Sequence, residues 1–259
     1  DGWPELADPL SGSSQVGHGH AYVTVVNRAT GLVLDNPACG YEGADVVVSP
    51  PTGSTCQQWR PEDRGDGYAS VLNRQSNKVL DVAFCVDADG ARVGLWGWID
   101  NSCQEFRLSP TEDGWSVVEN RISGRVLAPA GCADPGAPVQ TFARTDDACQ
   151  EFRIDPVGEV LIADGAGTRV LSGGCPGPAV RMTPRYPTAC QLWRFTPTTG
   201  ADATVTNVAT GRFLTADRHG LSLSGHATRW RLTPLGDGRY DLVTREGRTA
   251  ISGVRVLVP

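Results

Sequence analysis

The sequence CQEFR at residues 103–107 is part of an internal repeat. It returns unchanged at 149–153, as CQQWR at 56–60, as CQLWR at 190–194, and in reduced form as ATRWR at 227–231. Cysteine, glutamine and an aromatic residue therefore recur four times with the same spacing, which chance does not explain. The motif indicates a fold built from repeated units. Its aromatic residues are Trp59, Phe106, Phe152, Trp193 and Trp230.

A second repeated element precedes each motif. It reads VVNRATGLVLD at 25–35, VLNRQSNKVLD at 71–81 and VENRISGRVLA at 118–128, with weaker copies beginning at 162, 205 and 242. Each copy is typical of a strand, a tight turn and a second strand. Six units of about four short strands follow, and several must close together because one unit cannot bury its own apolar face. The apolar anchors are Leu34, Leu80, Leu127, Leu171, Leu214 and Ile251.

Composition narrows the class of protein. The chain has 259 residues and a formal net charge of −6, and 40% of its residues are hydrophobic. No apolar run approaches the ~18 residues of a membrane span, so we expect no membrane-spanning segment. The acidic balance argues against a nucleic-acid partner, because phosphate binding needs a basic face. Helical periodicity is scarce and short Val, Leu and Ile runs dominate, which predicts an all-β fold.

The eight cysteines also follow the repeat. Consecutive pairs are separated by 17, 18, 17 and 15 residues, and no closely spaced zinc-ligand pair is present. We predict four local disulfides, each stabilising by about 3 kcal/mol. Such a protein works outside the reducing cytosol, and with no signal-peptide pattern visible we expect a mature secreted chain. The pairs are Cys39 with Cys56, Cys85 with Cys103, Cys132 with Cys149, and Cys175 with Cys190.

This order of strand, turn, Leu-Asp, cysteine, strand and Cys-Gln-x-aromatic, in units of about 45 residues, resembles the ricin-type lectin β-trefoil family. The resemblance covers residues 21 to 259. Since three units make one trefoil, it implies two tandem trefoils at 21–155 and 156–259, the second degenerate, after an N-terminal arm at 1–20. It further implies that the motif aromatics lie in the core and that the motif glutamines link backbone segments through hydrogen bonds.

The resemblance also implies where sugars bind. The family takes a carboxylate from the second strand, an aromatic ring from the end of the third strand about 15 residues later, and an amide near the Gln-x-aromatic motif. Unit two supplies Asp81, Trp96, Asn101 and Gln104. Strand alternation points Trp96 outward, and Trp98 shares its parity, so Trp98 extends or replaces the stacking surface. The alternative is tryptophans packed between the trefoils or beneath a loop.

Other units hold incomplete sets of sugar-binding residues. Unit one has Asp35, but its ring position falls on Ser49 or Pro50. Unit three has Phe142 with Gln140 beside it, but no acid on its second strand. We therefore expect weaker sites at most in these two units and none in the second trefoil, which leaves that trefoil free for a protein-facing role. The acid positions without a carboxylate are Ala128, Ser172, Thr215 and Ser252.

The two ends of the chain carry further expectations. Only eight residues follow Ile251, so the sixth unit is expected to lack its fourth strand, leaving an unpaired edge and an open core. We hypothesise that Trp3 completes this unit from the N-terminal arm. His18 and His20 are two histidines without a third ligand nearby, so we expect no metal site.

The sequence favours binding over catalysis. It contains no Gly-x-Ser-x-Gly, HExxH or P-loop motif, and we expect neither an enzyme nor a cofactor. The leading hypothesis is a secreted carbohydrate-binding lectin whose main site lies in the second repeat, with a galactose-type or related pentose or hexose glycan as ligand. The alternative is a protein-interaction subunit of a secreted toxin or enzyme assembly that docks through the arm or the second trefoil. Protease inhibition falls within this alternative.

Overall fold

The computed structural model describes residues 21–132, 134–145, 147–175, 177–235, 239–257 and 259. Among them, residues 22–155 form one compact unit, and Ala21 with the residues from Pro156 onward forms a second. Strands dominate both units, and the helices in the described residues are eight single 3-10 turns. The predicted all-β class is confirmed. The turns are Pro37–Cys39, Thr55–Gln57, Ala83–Cys85, Ser102–Gln104, Glu112–Gly114, Ala130–Cys132, Ala148–Gln150 and Ala189–Gln191.

The first unit is a complete trefoil of twelve strands in one antiparallel sheet that closes on itself. The three repeats contribute four strands each, and consecutive repeats meet where the fourth strand of one pairs with the first strand of the next. The strands are β1 Val23–Asn27, β2 Val33–Asp35, β3 Val47–Ser49, β4 Trp59–Gly65, β5 Tyr68–Asn73, β6 Val79–Val82, β7 Ala91–Trp96, β8 Phe106–Pro110, β9 Ser116–Asn120, β10 Val126–Pro129, β11 Val139–Phe142 and β12 Glu151–Pro156.

A buried asparagine joins each repeat to the one before it. Asn73 donates its amide to the carbonyl of Cys56 at 2.8 Å, and Asn120 donates to the carbonyl of Cys103 at 3.1 Å. Asn27 donates to the carbonyl of Cys149 at 2.8 Å, which closes the ring of three repeats. These bonds explain why asparagine recurs before the tight turn, since a buried carbonyl left without a donor would cost about 1–3 kcal/mol.

The motif aromatics form the centre of the core. Trp59 pairs with Val23, Phe106 with Ala69 and Phe152 with Ser116, so each ring lies against a small or medium residue on a first strand. All three rings are buried. The motif interpretation as core therefore agrees with the structure.

All four predicted disulfides are present. They join Cys39 to Cys56, Cys85 to Cys103, Cys132 to Cys149, and Cys175 to Cys190. Each links the turn after a second strand to the turn that carries the Cys-Gln motif, so every bond lies within one repeat.

The second unit has ten strands in one sheet. Its first two repeats have the four-strand pattern, with Trp193 and Trp230 fully buried and paired with Val160 and Ala203. The strands are β13 Glu159–Ala163, β14 Arg169–Gly174, β15 Gly177–Pro184, β16 Trp193–Pro197, β17 Ala203–Asn207, β18 Phe213–Asp217, β19 Gly220–Ser224, β20 Arg229–Pro234, β21 Tyr240–Thr244 and β22 Thr249–Leu257.

The expectation of an open sixth repeat is wrong. The nine-residue strand β22 begins as the second strand of that repeat, with Ile251 paired to Leu242. It continues into the place of the fourth strand, where Arg255, Val256 and Leu257 pair with β13. One strand thus closes the sheet that two extra strands would otherwise have closed, and β13 is not left as an unpaired edge.

In the core of the sixth repeat, the large and small residues of the first and fourth strands have exchanged places. Val254 pairs with Tyr240, so it stands in register where the other repeats have their motif tryptophan or phenylalanine. Tyr240 stands where those repeats have Val, Ala or Ser, and both side chains are buried. The large ring has moved from the fourth strand to the first. Ala21 packs in the same core and donates its N–H to the carbonyl of Val256 at 3.4 Å.

Candidate functional site

The β6–β7 hairpin of the second repeat presents an acid and an aromatic ring on one face. In its register, Asp81 pairs with Gly94 and Val79 pairs with Trp96. Side chains alternate along each strand, so Asp81 and Trp96 lie on the face opposite the core residues. Trp96 is 44% exposed, as predicted from its parity. The core-facing residues of the hairpin are Leu80, Val82, Val93 and Leu95.

The Asp81 carboxyl is the acidic group of this face. It is partly buried, and burial raises the pKa of Asp81 above its ordinary value, while a hydrogen bond from the Gln104 side chain lowers it. Because water does not fully surround this carboxylate, its oxygens can accept hydrogen bonds from the hydroxyls of a ligand.

Gln104 supports the site through hydrogen bonds of its buried side chain. Its side chain is fully buried, its Oε1 accepts the N–H of Ile99 at 2.9 Å, and its Nε2 donates to the carbonyl of Gly97 at 2.8 Å. These bonds give Gln104 a positioning role for Asp81 and for the loop after β7, and the sugar contact expected from sequence stays a prediction. The equivalent glutamines bind their own loops in the same way: Gln57, Gln150 and Gln191.

Asn101 caps a 3-10 turn. Its Oδ1 accepts the N–H of Cys103 at 3.1 Å. The residues at the same position in the other cysteine-containing repeats make the same bond. A capping bond shared by all four repeats gives Asn101 a local structural role, and its sugar contact stays a prediction. Those residues are Ser54, Asp147 and Thr188.

Trp98 lies beyond the strand that its predicted orientation assumed. Strand β7 ends at Trp96, so alternation does not extend past Gly97. The guanidinium of Arg64 stacks over the Trp98 ring, 3.9 Å from its centroid. One face of this indole is therefore occupied by the protein, and Trp96 is the better placed stacking surface.

Arg92 and Gly94 belong to the site and were not identified from the sequence. Arg92 lies two residues before Gly94, on the same face of β7, and a Cβ at Gly94 would be 3.9 Å from its Nη2. The Arg92 guanidinium pairs with Asp45 and donates to the carbonyl of Gly43. A side chain at Gly94 would meet the carbonyl oxygen of Ala44 at 2.9 Å, so only glycine allows the backbone of residues 44–45 to approach β7 this closely. Strand alternation is the signal that would have found Arg92.

The loop at residues 41–45 flanks the second repeat although it belongs to the first. Gly43 donates to the carbonyl of Leu95 at 2.7 Å, and a Cβ at Gly43 would lie 3.9 Å from the Trp96 ring. Glu42 accepts the N–H of Gly97 at 2.8 Å and lies 3.5 Å from the Lys78 ammonium. Neighbouring repeats thus cooperate at this site, a feature that unit-by-unit sequence comparison could not reveal.

The hairpins of the first and third repeats each supply half of the acid–aromatic pair. Asp35 is present in the first, but the ring position opposite Val33 is Ser49. In the third, Phe142 occupies the ring position and Gln140 lies opposite Ala128, where the acid would stand. Asp35 accepts the Nε2 of Gln57 at 3.2 Å, as Asp81 accepts from its own motif glutamine.

The second unit lacks both groups at the equivalent places. Ser172 pairs with Arg181, Thr215 pairs with Ser222, and Thr183 and Ser224 hold the ring positions. In the sixth repeat β22 leaves no third strand for a ring position among the described residues.

The remaining predictions concern the N-terminal arm, metal ligands and membrane-spanning segments. Trp3, His18 and His20 lie outside the described residues, as does the predicted N-terminal arm. Within the described ranges, the one close group of metal-type ligands is Asp147 with Cys132 and Cys149, whose sulfurs form a disulfide. In this same part of the chain, every helix is too short or too polar to cross a bilayer.

Comparison with known proteins identifies the family. The model of the ricin-type beta-trefoil lectin domain-like family matches residues 13–96 and 189–252, more than half of the chain. A designed three-fold symmetric protein, ThreeFoil, is 31% identical over 52% of this chain and 99% of its own, with a TM-score of 0.52. An exo-beta-1,3-galactanase from Clostridium thermocellum is 22% identical over 59% of this chain, with a TM-score of 0.52.

The match to the exo-beta-1,3-galactanase covers 31% of that enzyme, about a third of its length. A ricin B-like lectin from Macrolepiota procera, solved in complex with lactose, is 21% identical over 56% of this chain and all of its own, with a TM-score of 0.48. No curated protein matches the chain. The family match, the six repeats and the two trefoil units together show that the chain belongs to the ricin-type β-trefoil lectin family.

Proposed function

We propose that this protein is a secreted carbohydrate-binding lectin whose main sugar site is the outward face of the β6–β7 hairpin. One observation carries the proposal: Asp81 and Trp96 lie on the same face of one hairpin. Among the described hairpins, the others have the acid alone, a ring alone, or neither. The four disulfides support an extracellular location.

The chemistry of the face suits a neutral sugar. The Asp81 carboxylate accepts hydrogen bonds from two neighbouring hydroxyls, and each bond to a charged group contributes about 1.5–3 kcal/mol. The Trp96 ring covers the apolar C–H face of the pyranose and removes it from water. Arg92 lies on the same face of β7 and borders the site with its guanidinium, which pairs with Asp45. Gln104 orients Asp81 from below.

The arrangement favours binding over hydrolysis. Glycoside hydrolysis generally uses two carboxyl groups, one as acid and one as base or nucleophile. The second carboxylate next to Gly94 is Asp45, which forms an ion pair with Arg92. A single available carboxylate suits recognition of a galactose-type, pentose or other hexose glycan.

The affinity for one sugar unit should be modest. A shallow site with one acid and one ring is consistent with a Kd near 1 mM, or about −4 kcal/mol. Useful avidity then requires a polymeric glycan or several sites, and Asp35 and Phe142 with Gln140 are the candidates for weaker sites in the first trefoil.

A protein-binding role for the second trefoil is the alternative function. This unit keeps its buried core but has no acid–aromatic pair at the described hairpins. With the proposed boundaries of 21–155 and 156–259, the first trefoil would bind glycan while the second, or the arm at 1–20, docks on a secreted partner such as a toxin or enzyme subunit.

A glycan array tests the lectin proposal. The wild-type chain, Asp81→Asn and Trp96→Ala are compared, with Asp35→Asn as the matched control because it changes the equivalent acid of the first repeat. We expect the wild type and Asp35→Asn to bind the same neutral glycans and the other two variants to lose them. If the wild type binds no glycan, or if Asp81→Asn binds as well as the wild type, the proposal is wrong.

A further inference from the structure

Phe84 has two features that the stability of the fold does not explain. Its side chain is 95% exposed, the highest value among the large apolar residues of the described chain. Its backbone has φ 58°, in the left-handed region that bulky residues avoid. The third repeat has Gly131 at the same place, with φ 65°. Two repeats thus take the left-handed conformation at this place, and glycine satisfies it without strain.

The position of Phe84 is tied to the proposed sugar site. It lies in the Ala83–Cys85 turn that directly follows β6. Three residues of chain span at most about 10 Å, so its Cα lies within that distance of the Asp81 Cα. The Cys85–Cys103 disulfide anchors the turn beside Gln104, the hydrogen-bond partner of Asp81.

Exposed apolar side chains concentrate in this segment. Eight large apolar residues are exposed in the described chain, and four of them, Phe84, Val86, Trp96 and Ile99, fall within residues 84–99. Ile99 is held at the site because its N–H binds Gln104. Scattered exposed residues need no explanation, but four of them within one segment of sixteen residues that includes Trp96 indicate a contact surface.

We infer that Phe84 forms a second sugar subsite next to the Asp81–Trp96 pair, so that the site accepts a chain of neutral sugars in preference to a single unit. The inference rests on the proposed lectin function. A further pyranose ring linked to the one held by Asp81 would lay its C–H face on the Phe84 ring. The charged neighbours are mutually paired, Arg92 with Asp45 and Lys78 with Glu42, and Asp81 repels anionic sugars, so the ligand is uncharged.

Isothermal titration with short sugars separates the two subsites. The probes are galactose, mannose, xylose and arabinose, each alone and as its linear tetrasaccharide. For a sugar that binds, we expect the wild type to prefer the tetrasaccharide about tenfold, which corresponds to about 1.4 kcal/mol and suits one ring-stacking contact. Phe84→Gly should reduce this preference to less than threefold while changing the monosaccharide Kd less than twofold.

Two further variants complete the test. Ile122→Ala removes an exposed apolar side chain from the turn of the third repeat and should keep the tetrasaccharide preference. Phe84→Asn repeats the deletion with a residue that tolerates the left-handed region. If the wild type binds monosaccharide and tetrasaccharide equally, or both Phe84 variants keep the preference, the second subsite is refuted while the lectin proposal stands. If no sugar binds the wild type, both fail.

Discussion

The exchange of ring positions between Tyr240 and Val254 predicts strong energetic coupling between the two residues. In the fifth repeat the equivalent pair is Ala203 with Trp230, a small residue facing a large one. The sixth repeat has the reverse order, and both of its side chains are buried. The double substitution Tyr240→Ala with Val254→Trp restores the order of the fifth repeat. We expect each single change to destabilise the second unit and the double change to destabilise it less than the sum of the two.

The magnitudes follow from the packing. Truncating a buried aromatic residue to alanine costs about 3–5 kcal/mol, and inserting a large side chain into a filled core costs about 1–3 kcal/mol. Independent effects would therefore add to about 4–8 kcal/mol. Because the indole would occupy the cavity left by the phenol, we expect a coupling of about 1–3 kcal/mol in favour of the double variant.

Native-state hydrogen exchange, followed by mass spectrometry, measures these losses of unfolding free energy in the intact chain. A loss of about 3 kcal/mol accelerates exchange through global opening by about 150-fold. Peptides from β13 and β22 should show this acceleration in Tyr240→Ala, whereas peptides from β8 in the first unit provide an internal control and should not change. Additive single effects would refute the register on which the exchange of ring positions depends.

Three more predictions concern the site and the second unit. Phe84→Gly should stabilise the chain by about 1 kcal/mol in thermal unfolding, because it relieves left-handed strain while removing a proposed sugar contact. Sugar affinity should fall as the pH drops toward 3.8 from above, because burial raises the pKa of Asp81 over that ordinary value and the carboxylate is the form that accepts hydroxyls. The second unit should lose about 3 kcal/mol between about pH 10 and pH 12, because burial raises the pKa of Tyr240 to about 12 and the unfolded chain ionises first.

Each of these predictions has a control. Ile122→Gly should not stabilise the chain, and a stabilisation as large as that of Phe84→Gly would count against strain at Phe84. Asp35→Asn should keep the pH dependence of sugar binding, so a profile that flattens in this variant would exclude Asp81 as its source. Tyr240→Phe should flatten the alkaline loss of stability, whereas Tyr186→Phe, at an exposed ring, should leave it in place.

Sequence spacing was sufficient for the repeated parts of the molecule. The four Cys-Gln motifs and the Leu anchors predicted the trefoil repeats and disulfides, because these residues make the same core contacts in every repeat. The family resemblance predicted Asp81 and Trp96 as the acid and ring, and alternation predicted the exposure of Trp96, since both residues lie within one regular hairpin.

The remaining features depend on contacts that no local pattern encodes. The role of Val254 becomes visible only through its pairing with Tyr240, because β22 replaces two strands and the usual spacing disappears. The orientation of Trp98 could not be predicted by alternation, because strand β7 ends two residues earlier. Phe84 was overlooked because a left-handed backbone at a non-glycine residue leaves no trace in the sequence.

The most direct test of the central claim is a crystal structure of the full chain with the tightest-binding glycan from the array. The proposed site predicts a sugar ring stacked on the Trp96 indole, with two neighbouring hydroxyls hydrogen-bonded to the Asp81 carboxylate. A glycan bound at another hairpin, with the β6–β7 face empty, would contradict it.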